Sequence, residues 1–159
     1  MSLSIKRWFF TWVKIRKAEE EKIEMGENIE KLHSACPFCN EGNELKIIAR
    51  LGTVFAIRDK YPVTNLHTLI LPIRHVSDFF DLTPEEKAEA DKLLISLRNT
   101  ILKEDPSVTG FNVGVNCGVS AGQTIGHAHI HLIPRREKDI PKPRGGVRGV
   151  IPAKMDYPT

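Results

Sequence analysis

Apolar and polar residues follow distinct rhythms along this chain, and each rhythm predicts its own kind of element. From about Ser4 to His33 they fall at helical intervals, with a polar run of Lys17, Glu19, Glu20, Glu21, Lys22 and Glu24 interrupted by Gly26. One or two helices are predicted there. After the turn cluster Asn40-Glu41-Gly42-Asn43 the rhythm changes. The runs Ile47-Ile48-Ala49-Arg50 and Thr53-Val54-Phe55-Ala56-Ile57 flank Gly52 and read as two tightly joined strands. Leu66 to Leu71 reads as a third, closed by Pro72, which has no N–H to give to a ladder. Thr83-Pro84-Glu85-Glu86 begins a helix: a hydroxyl at the N-cap, proline in the first turn and acids at the positive end of the dipole. Leu93, Leu94, Leu97, Ile101 and Leu102 line one side of it, and it is predicted to run to about Lys103 before Asp105-Pro106 ends it. Phe111 to Asn116 then predicts a strand, Cys117 to Gly126 a glycine-rich loop, and Ala128 to Ile133 a last strand.

Strands, one long helix and strands again predict an α+β fold, a mainly antiparallel sheet with the helix packed on it and an N-terminal helical extension in front. We divide the chain into that extension over residues 1–33, the sheet-and-helix domain over 34–136, and an extended C-terminal arm over 137–159 that is rich in proline and glycine. A length of 159 residues suits one core. With 41% apolar and 27% charged residues the chain has the composition of a soluble globular protein. The net charge of +3 is mild, and although Arg135, Arg136, Lys138, Lys142, Arg144 and Arg148 gather near the end, they suit phosphate groups in general and make no nucleic-acid footprint. The apolar run Trp8 to Val13 is short and lacks a small-residue cleavage site, so a cytoplasmic protein is expected. No stretch approaches the roughly eighteen uninterrupted apolar residues of a transmembrane span. The run is read as a helix docked on its own domain or on a second subunit, with contact to a membrane surface as the alternative.

The chemistry concentrates in His127-Ala128-His129-Ile130-His131-Leu132-Ile133, where imidazoles occupy every second position and apolar residues the others. At strand spacing the rings share one face. An unprotonated imidazole nitrogen attacks phosphorus well, a second ring can serve the departing oxygen, and backbone N–H groups of the preceding glycine-rich loop can neutralise phosphate oxygens. Metal ligation by the same rings is the rival reading. Cys36-Pro37-Phe38-Cys39 has the spacing of a metal knuckle or a redox pair; because strand-like segments follow it, and no βαβ unit, metal is preferred. Cys117 stands alone and reads as a small buried residue.

The alternating histidines resemble the motif of the histidine triad (HIT) family. The match extends through Gly122, Gln123 and Thr124 to Asn116, and upstream to Asp59 and Leu66-His67-Thr68-Leu69-Ile70-Leu71-Pro72-Ile73-Arg74-His75, covering roughly Cys36 to Arg136. The resemblance implies a two-layer α+β fold, a homodimer with a continuous sheet, and a nucleotide, of adenine type, bound at the histidine strand. It implies that His129 is the nucleophile toward the α-phosphate, that His131 serves the phosphate or leaving oxygen, and that His127 orients its neighbours or binds metal. His67 is similar to a fourth, supporting histidine. Asp59, followed by Lys60, matches the acidic position that grips the ribose hydroxyls, which a carboxylate can do by accepting from both. Asn116, Gly122, Gln123 and Thr124 match phosphate-holding positions, and Phe55 and Ile57 are expected to wall the base. Histidine at position 131, where transferase and phosphorylase branches carry glutamine, favours hydrolysis.

Some members bind a structural zinc, and the corresponding residues are Cys36, Cys39, His75 and His127, two sulfurs and two nitrogens suited to tetrahedral zinc. Gly126 and the basic, glycine-rich tail from Pro143 to Pro152 depart from the pattern; the tail either contacts a polyphosphate or packs on a partner subunit. The resulting expectation is a hydrolase acting at the α-phosphate of dinucleoside polyphosphates, such as diadenosine tetraphosphate, or of nucleoside phosphoramidates, through a nucleotidyl-histidine intermediate. Two alternatives stay open, a nucleotide-sensing module with incidental turnover and a metal-dependent enzyme using the triad as ligands.

Overall fold

A computed structural model of the protein describes Lys17, residues 36–39 and residues 45–157. Lys17 is helical, and the rest of the predicted N-terminal helical extension lies outside the described residues. The chain forms two compact units, residues 1–40 and 41–159. The second carries the fold.

Its first hairpin joins β1 (Ile47–Leu51) to β2 (Val54–Arg58). Gly52 turns the chain at φ +51°, where a Cβ would collide with the Glu89 carboxylate. That carboxylate instead accepts from the Thr53 amide at 2.7 Å and from its hydroxyl, tying the hairpin to the long helix. The remaining elements are β3 (Thr68–Pro72), α1 (Pro84–Glu104), β4 (Val108–Gly114) and β5 (Ile130–Arg136). They build a five-stranded sheet in the order β1-β2-β3-β5-β4, antiparallel at every pairing. The architecture is the α+β fold the sequence predicts.

Helix α1 starts as its sequence dictates. Thr83 caps the Glu86 amide at 3.1 Å while Glu86 reaches back to the Thr83 amide at 2.8 Å, a reciprocal capping box. The same buried carboxylate takes two hydrogen bonds from Arg74, and these, more than the Thr83 contacts, hold it below the usual carboxylate range. Ala90, Leu93, Leu97 and Ile101 recur every three or four residues and bury one stripe of the helix, with Leu94 and Leu102 half-buried beside them. They pack on Val54 and Ala56 of β2, Ile70 of β3, and Ile130 and Leu132 of β5. Each such fully buried aliphatic side chain contributes about 1.5–3 kcal/mol.

Several boundaries differ from the prediction for physical reasons. The last strand starts at Ile130, where the pattern predicts Ala128: the same register sets Pro72 opposite Ala128 as the next residue to donate toward β5, and it has no N–H. The Ala128 amide turns to the Val76 carbonyl at 2.6 Å, and only His131 of the three alternating histidines lies within the strand. Strand β3 begins at Thr68, because Leu66 takes a left-handed conformation at φ +68°. Strand β4 spans 108–114, shifted toward the N-terminus to pair along β5 as far as Arg136. The C-terminal arm is less irregular than its composition suggests. Short 3-10 helices form over Gly146–Val150 and Pro152–Lys154, with Arg148 donating to the Lys154 and Met155 carbonyls and lying over the Tyr157 ring. No helix among the described residues is long and apolar enough to cross a membrane.

Candidate active site

Sheet register assembles the site. Ile57, Leu69, His131 and Gly114 stand opposite one another across β2, β3, β5 and β4, so they share the face turned away from α1. Phe55 lies two residues from Ile57 on the same face, and both are buried. His129, also buried, precedes His131 by two residues, and their rings meet edge to face at 5.0 Å between centroids.

Hydrogen-bond partners fix which ring nitrogens carry protons. His129 Nδ1 lies 2.7 Å from the carbonyl oxygen of His127. A carbonyl only accepts, so Nδ1 donates and Nε2 of the neutral ring keeps its lone pair, the state of an imidazole nucleophile. His67 runs the other way. The Val63 amide donates to His67 Nδ1 at 3.2 Å, so the proton sits on His67 Nε2, which donates to His131 Nδ1 at 3.0 Å. His131 therefore carries its proton on Nε2, a buried atom with no hydrogen-bond partner among the described residues. Burial lowers the His131 pKa to about 4, with the neighbouring His129 and His67 adding to the effect against the pull of Asp59. Burial also lowers His67, although Asp59 Oδ2 stands 3.4 Å from its Nδ1 and opposes the shift. Asp59, His67 and His131 offer atoms within 4.8 Å of one another.

The other candidate residues occupy a range of settings. Asp59 is half-buried just after β2 and accepts from the Tyr61 amide at 2.8 Å through Oδ1. Lys60 is exposed, its ammonium over the Tyr61 ring. Asn116 is half-buried beyond the end of β4. In the glycine-rich loop Gly118 and Gly122 have φ of +81° and +86° with open space where a Cβ would stand. Gln123 staples that loop, accepting from the Gly118 amide and donating to the Ser77 and Ile125 carbonyls. Gly122 and Thr124 are exposed, and Cys117 is half-buried.

Two pairs of candidate metal ligands are each formed locally. His127 donates from Nε2 to the Pro72 carbonyl at 3.0 Å, which places its lone pair on Nδ1, and His75 meets its ring edge to face at 5.1 Å. Cys36 and Cys39 sit on one turn, closed by the Cys39 amide on the Cys36 carbonyl, and all cysteines are unbridged. Burial and the adjacent Cys36 thiol push Cys39 up to about 12, opposite to the depression a redox-active cysteine requires. As donor types, two thiols and two imidazoles suit zinc.

Sequence reading missed the residues that support His67. Val63 acts through its backbone amide, which has no sequence signature, and the turn before His67 is held on backbone carbonyls, Arg58 donating to that of Leu66, the His67 amide to that of Thr64 and the Thr64 hydroxyl to that of Pro134. The Asn65-Leu66 dipeptide is the one local hint of a turn there.

The fold and site define a class: a two-layer α+β domain that presents alternating histidines at the start of a central strand. A family profile described as the HIT domain matches residues 40–138, and the chain belongs to the HIT family. It is 37% identical over 93 residues to AP-4-A phosphorylase of Mycobacterium tuberculosis, covering 56% of this chain and 46% of that protein. It is 38% identical over 81 residues to the asymmetrical bis(5'-nucleosyl)-tetraphosphatase of Schizosaccharomyces pombe, covering 50% of this chain and 43% of that one. The chain thus spans somewhat under half the length of these curated relatives. Among solved structures, a Zn-bound histidine triad family protein from Mycobacterium smegmatis aligns with a TM-score of 0.62 and 30% identity, over 67% of this chain and 79% of that chain.

Proposed function

We propose that this protein is a nucleotide hydrolase acting at the α-phosphate of dinucleoside polyphosphates or nucleoside phosphoramidates. One observation carries the reading. His129 and His131 are neighbours in opposite tautomers, a lone pair on His129 Nε2 and a proton on the buried His131 Nε2, which has no hydrogen-bond partner among the described residues. His129 Nε2 attacks the α-phosphorus and forms a P–N bond as the bond to the leaving group breaks. His131 Nε2–H donates a hydrogen bond to the phosphate or the departing atom and stays on its ring, while a leaving group that needs a proton takes it from solvent. Water then attacks phosphorus, the P–N bond breaks, and nucleoside monophosphate leaves with His129 restored. Asp59 accepts from the ribose hydroxyls, with Lys60 beside it. Asn116, Gly122, Gln123 and Thr124 hold phosphate oxygens, and Phe55 and Ile57 wall an adenine-type base. The dinucleoside substrates named for the relatives support the class.

A second reading is phosphorolysis, favoured by the relative named AP-4-A phosphorylase. The same adduct would pass its nucleotidyl group to inorganic phosphate in place of water. Incubation with diadenosine tetraphosphate or adenosine phosphoramidate, with and without inorganic phosphate, separates the two. Nucleoside monophosphate is expected in both conditions. ADP formed only with phosphate establishes the transferase, while tight binding with negligible turnover of either substrate supports the sensing module and sinks the enzyme reading. His129→Ala is expected to lower turnover by at least about a thousandfold.

We read Cys36, Cys39, His75 and His127 as ligands of a structural zinc, which would brace the backbone that carries the triad. The lone pair at His127 Nδ1 and the Zn-bound M. smegmatis relative support this. Metal analysis is expected to find about one zinc per chain, lost in Cys36→Ser. Zinc retained by that variant, or absent from the wild type, would count against the assignment. Turnover abolished by chelation without loss of fold would support the metal-dependent alternative. The protein is further read as a homodimer paired along the exposed outer edge of β4.

A further inference from the structure

We infer that Arg58 is a positioning residue, which holds Leu66 in a left-handed conformation so that His67 is aimed at His131. The inference deepens the proposed function, since it rests on His131 as the donor at the phosphate. Leu66 and Lys138 are the non-glycine residues with positive φ among those described, and only Leu66 adjoins a histidine of the site. A left-handed conformation disfavours an L-residue by roughly an order of magnitude in population. Something must hold it there.

The holding contacts converge on one carbonyl. Leu66 O accepts from Arg58 Nη1 at 3.0 Å and from Thr68 Oγ1 at 2.8 Å, and Arg58 Nη1 also donates to that hydroxyl at 2.6 Å. The other arm of the guanidinium reaches Glu104 in the last turn of α1 at 3.2 Å. The turn is closed by the His67 amide on the Thr64 carbonyl, and the Thr64 hydroxyl ties it to the Pro134 carbonyl of β5 at 2.6 Å. The half-buried Leu66 side chain packs against the main core. A glycine would take this φ without strain but would lose that packing.

The next residue shows what the turn accomplishes. His67 is 2% exposed, its carbonyl accepts from the Asp59 amide at 3.0 Å, and its ring bridges the Val63 amide and His131 Nδ1. Relaxing Leu66 to an extended backbone rotates the 66–67 peptide, withdraws its carbonyl from Arg58 and swings the His67 ring off both partners. The tautomer of His131 then has nothing to fix it.

Epistasis tests this. Arg58→Met is expected to lower kcat about tenfold with KM little changed, the kinetic equivalent of releasing the left-handed residue. Adding Leu66→Gly, which accepts the conformation unaided, is expected to restore kcat to within about threefold even though core packing is lost. Nitrogen NMR of the rings gives a readout independent of turnover: the hydrogen bond between His67 Nε2 and His131 Nδ1 should be lost in Arg58→Met and regained in the double variant. Absence of rescue in both readouts, or an Arg58→Met protein with wild-type kcat and an intact ring hydrogen bond, overturns the positioning role. Should Arg58→Met fail to fold, Arg58→Lys carries the same test, because it keeps the charge and loses one arm of the fork. If the wild type turns over no nucleotide, the functional reading fails, and the ring signals still decide the positioning claim.

Discussion

His131 is where the local chemistry is most exposed to measurement. Its pKa of about 4 lies below the ordinary imidazole value of 6.5 because the folded state buries the ring beside two other histidines. Between those values the unfolded chain takes up a proton that the folded protein refuses, so stability falls as pH drops through the window. Denaturation midpoints between pH 6.5 and 4.5 should therefore decline more steeply for the wild type than for His131→Gln, by a difference approaching one proton. Equal slopes would show that the ring is not held neutral by the fold. The alternation of histidines was legible in the sequence because spacing writes itself in letters. Their tautomers were not, because these depend on the carbonyls of His127 and Pro72 and the amide of Val63, backbone groups that leave no mark in the sequence. Leu66 was hidden for the same reason, since a leucine gives no sign of a left-handed backbone and reads as the start of a strand.

At the level of elements, the capping box and the stripe Leu93, Leu97, Ile101 made α1 readable almost to the residue, because both its start and its buried face are set by local chemistry. Strand ends were less legible, since they depend on which partner donates: Pro72 stops the ladder of β3 with β5, and no periodicity within residues 127–133 reveals that. Among the described residues no strand lies beside the outer edge of β4. Between it and α1 runs a groove of about 480 Å³ bordered by Leu94, Leu102, Phe111 and the exposed Ile95 and Val113. An unpaired edge flanked by apolar side chains suits a second copy of the same strand, which supports the proposed dimer. Val113→Lys is expected to convert a dimer into a monomer by sedimentation or light scattering while the circular dichroism stays native. A wild type that is monomeric at tens of micromolar, or a Val113→Lys dimer, would rule out this edge.

At the level of the molecule, the order of strands, helix and strands gave the two-layer architecture, and the density of motif residues between Cys36 and Arg136 gave the family, whose profile spans 40–138. Composition gave an extended C-terminal arm with little regular structure, and it could not show that Arg148 collects the Lys154 and Met155 carbonyls and the Tyr157 ring. The proposed function rests at every level on His129, whose Nδ1 donates to the His127 carbonyl and whose Nε2 is the atom proposed to bond phosphorus. Intact-mass analysis of the enzyme quenched within milliseconds of mixing with diadenosine tetraphosphate tests it most directly. A transient nucleotidyl adduct is expected that maps to His129 and is absent from His129→Ala. Turnover proceeding at the wild-type rate with no adduct, or with the adduct on another residue, would contradict it.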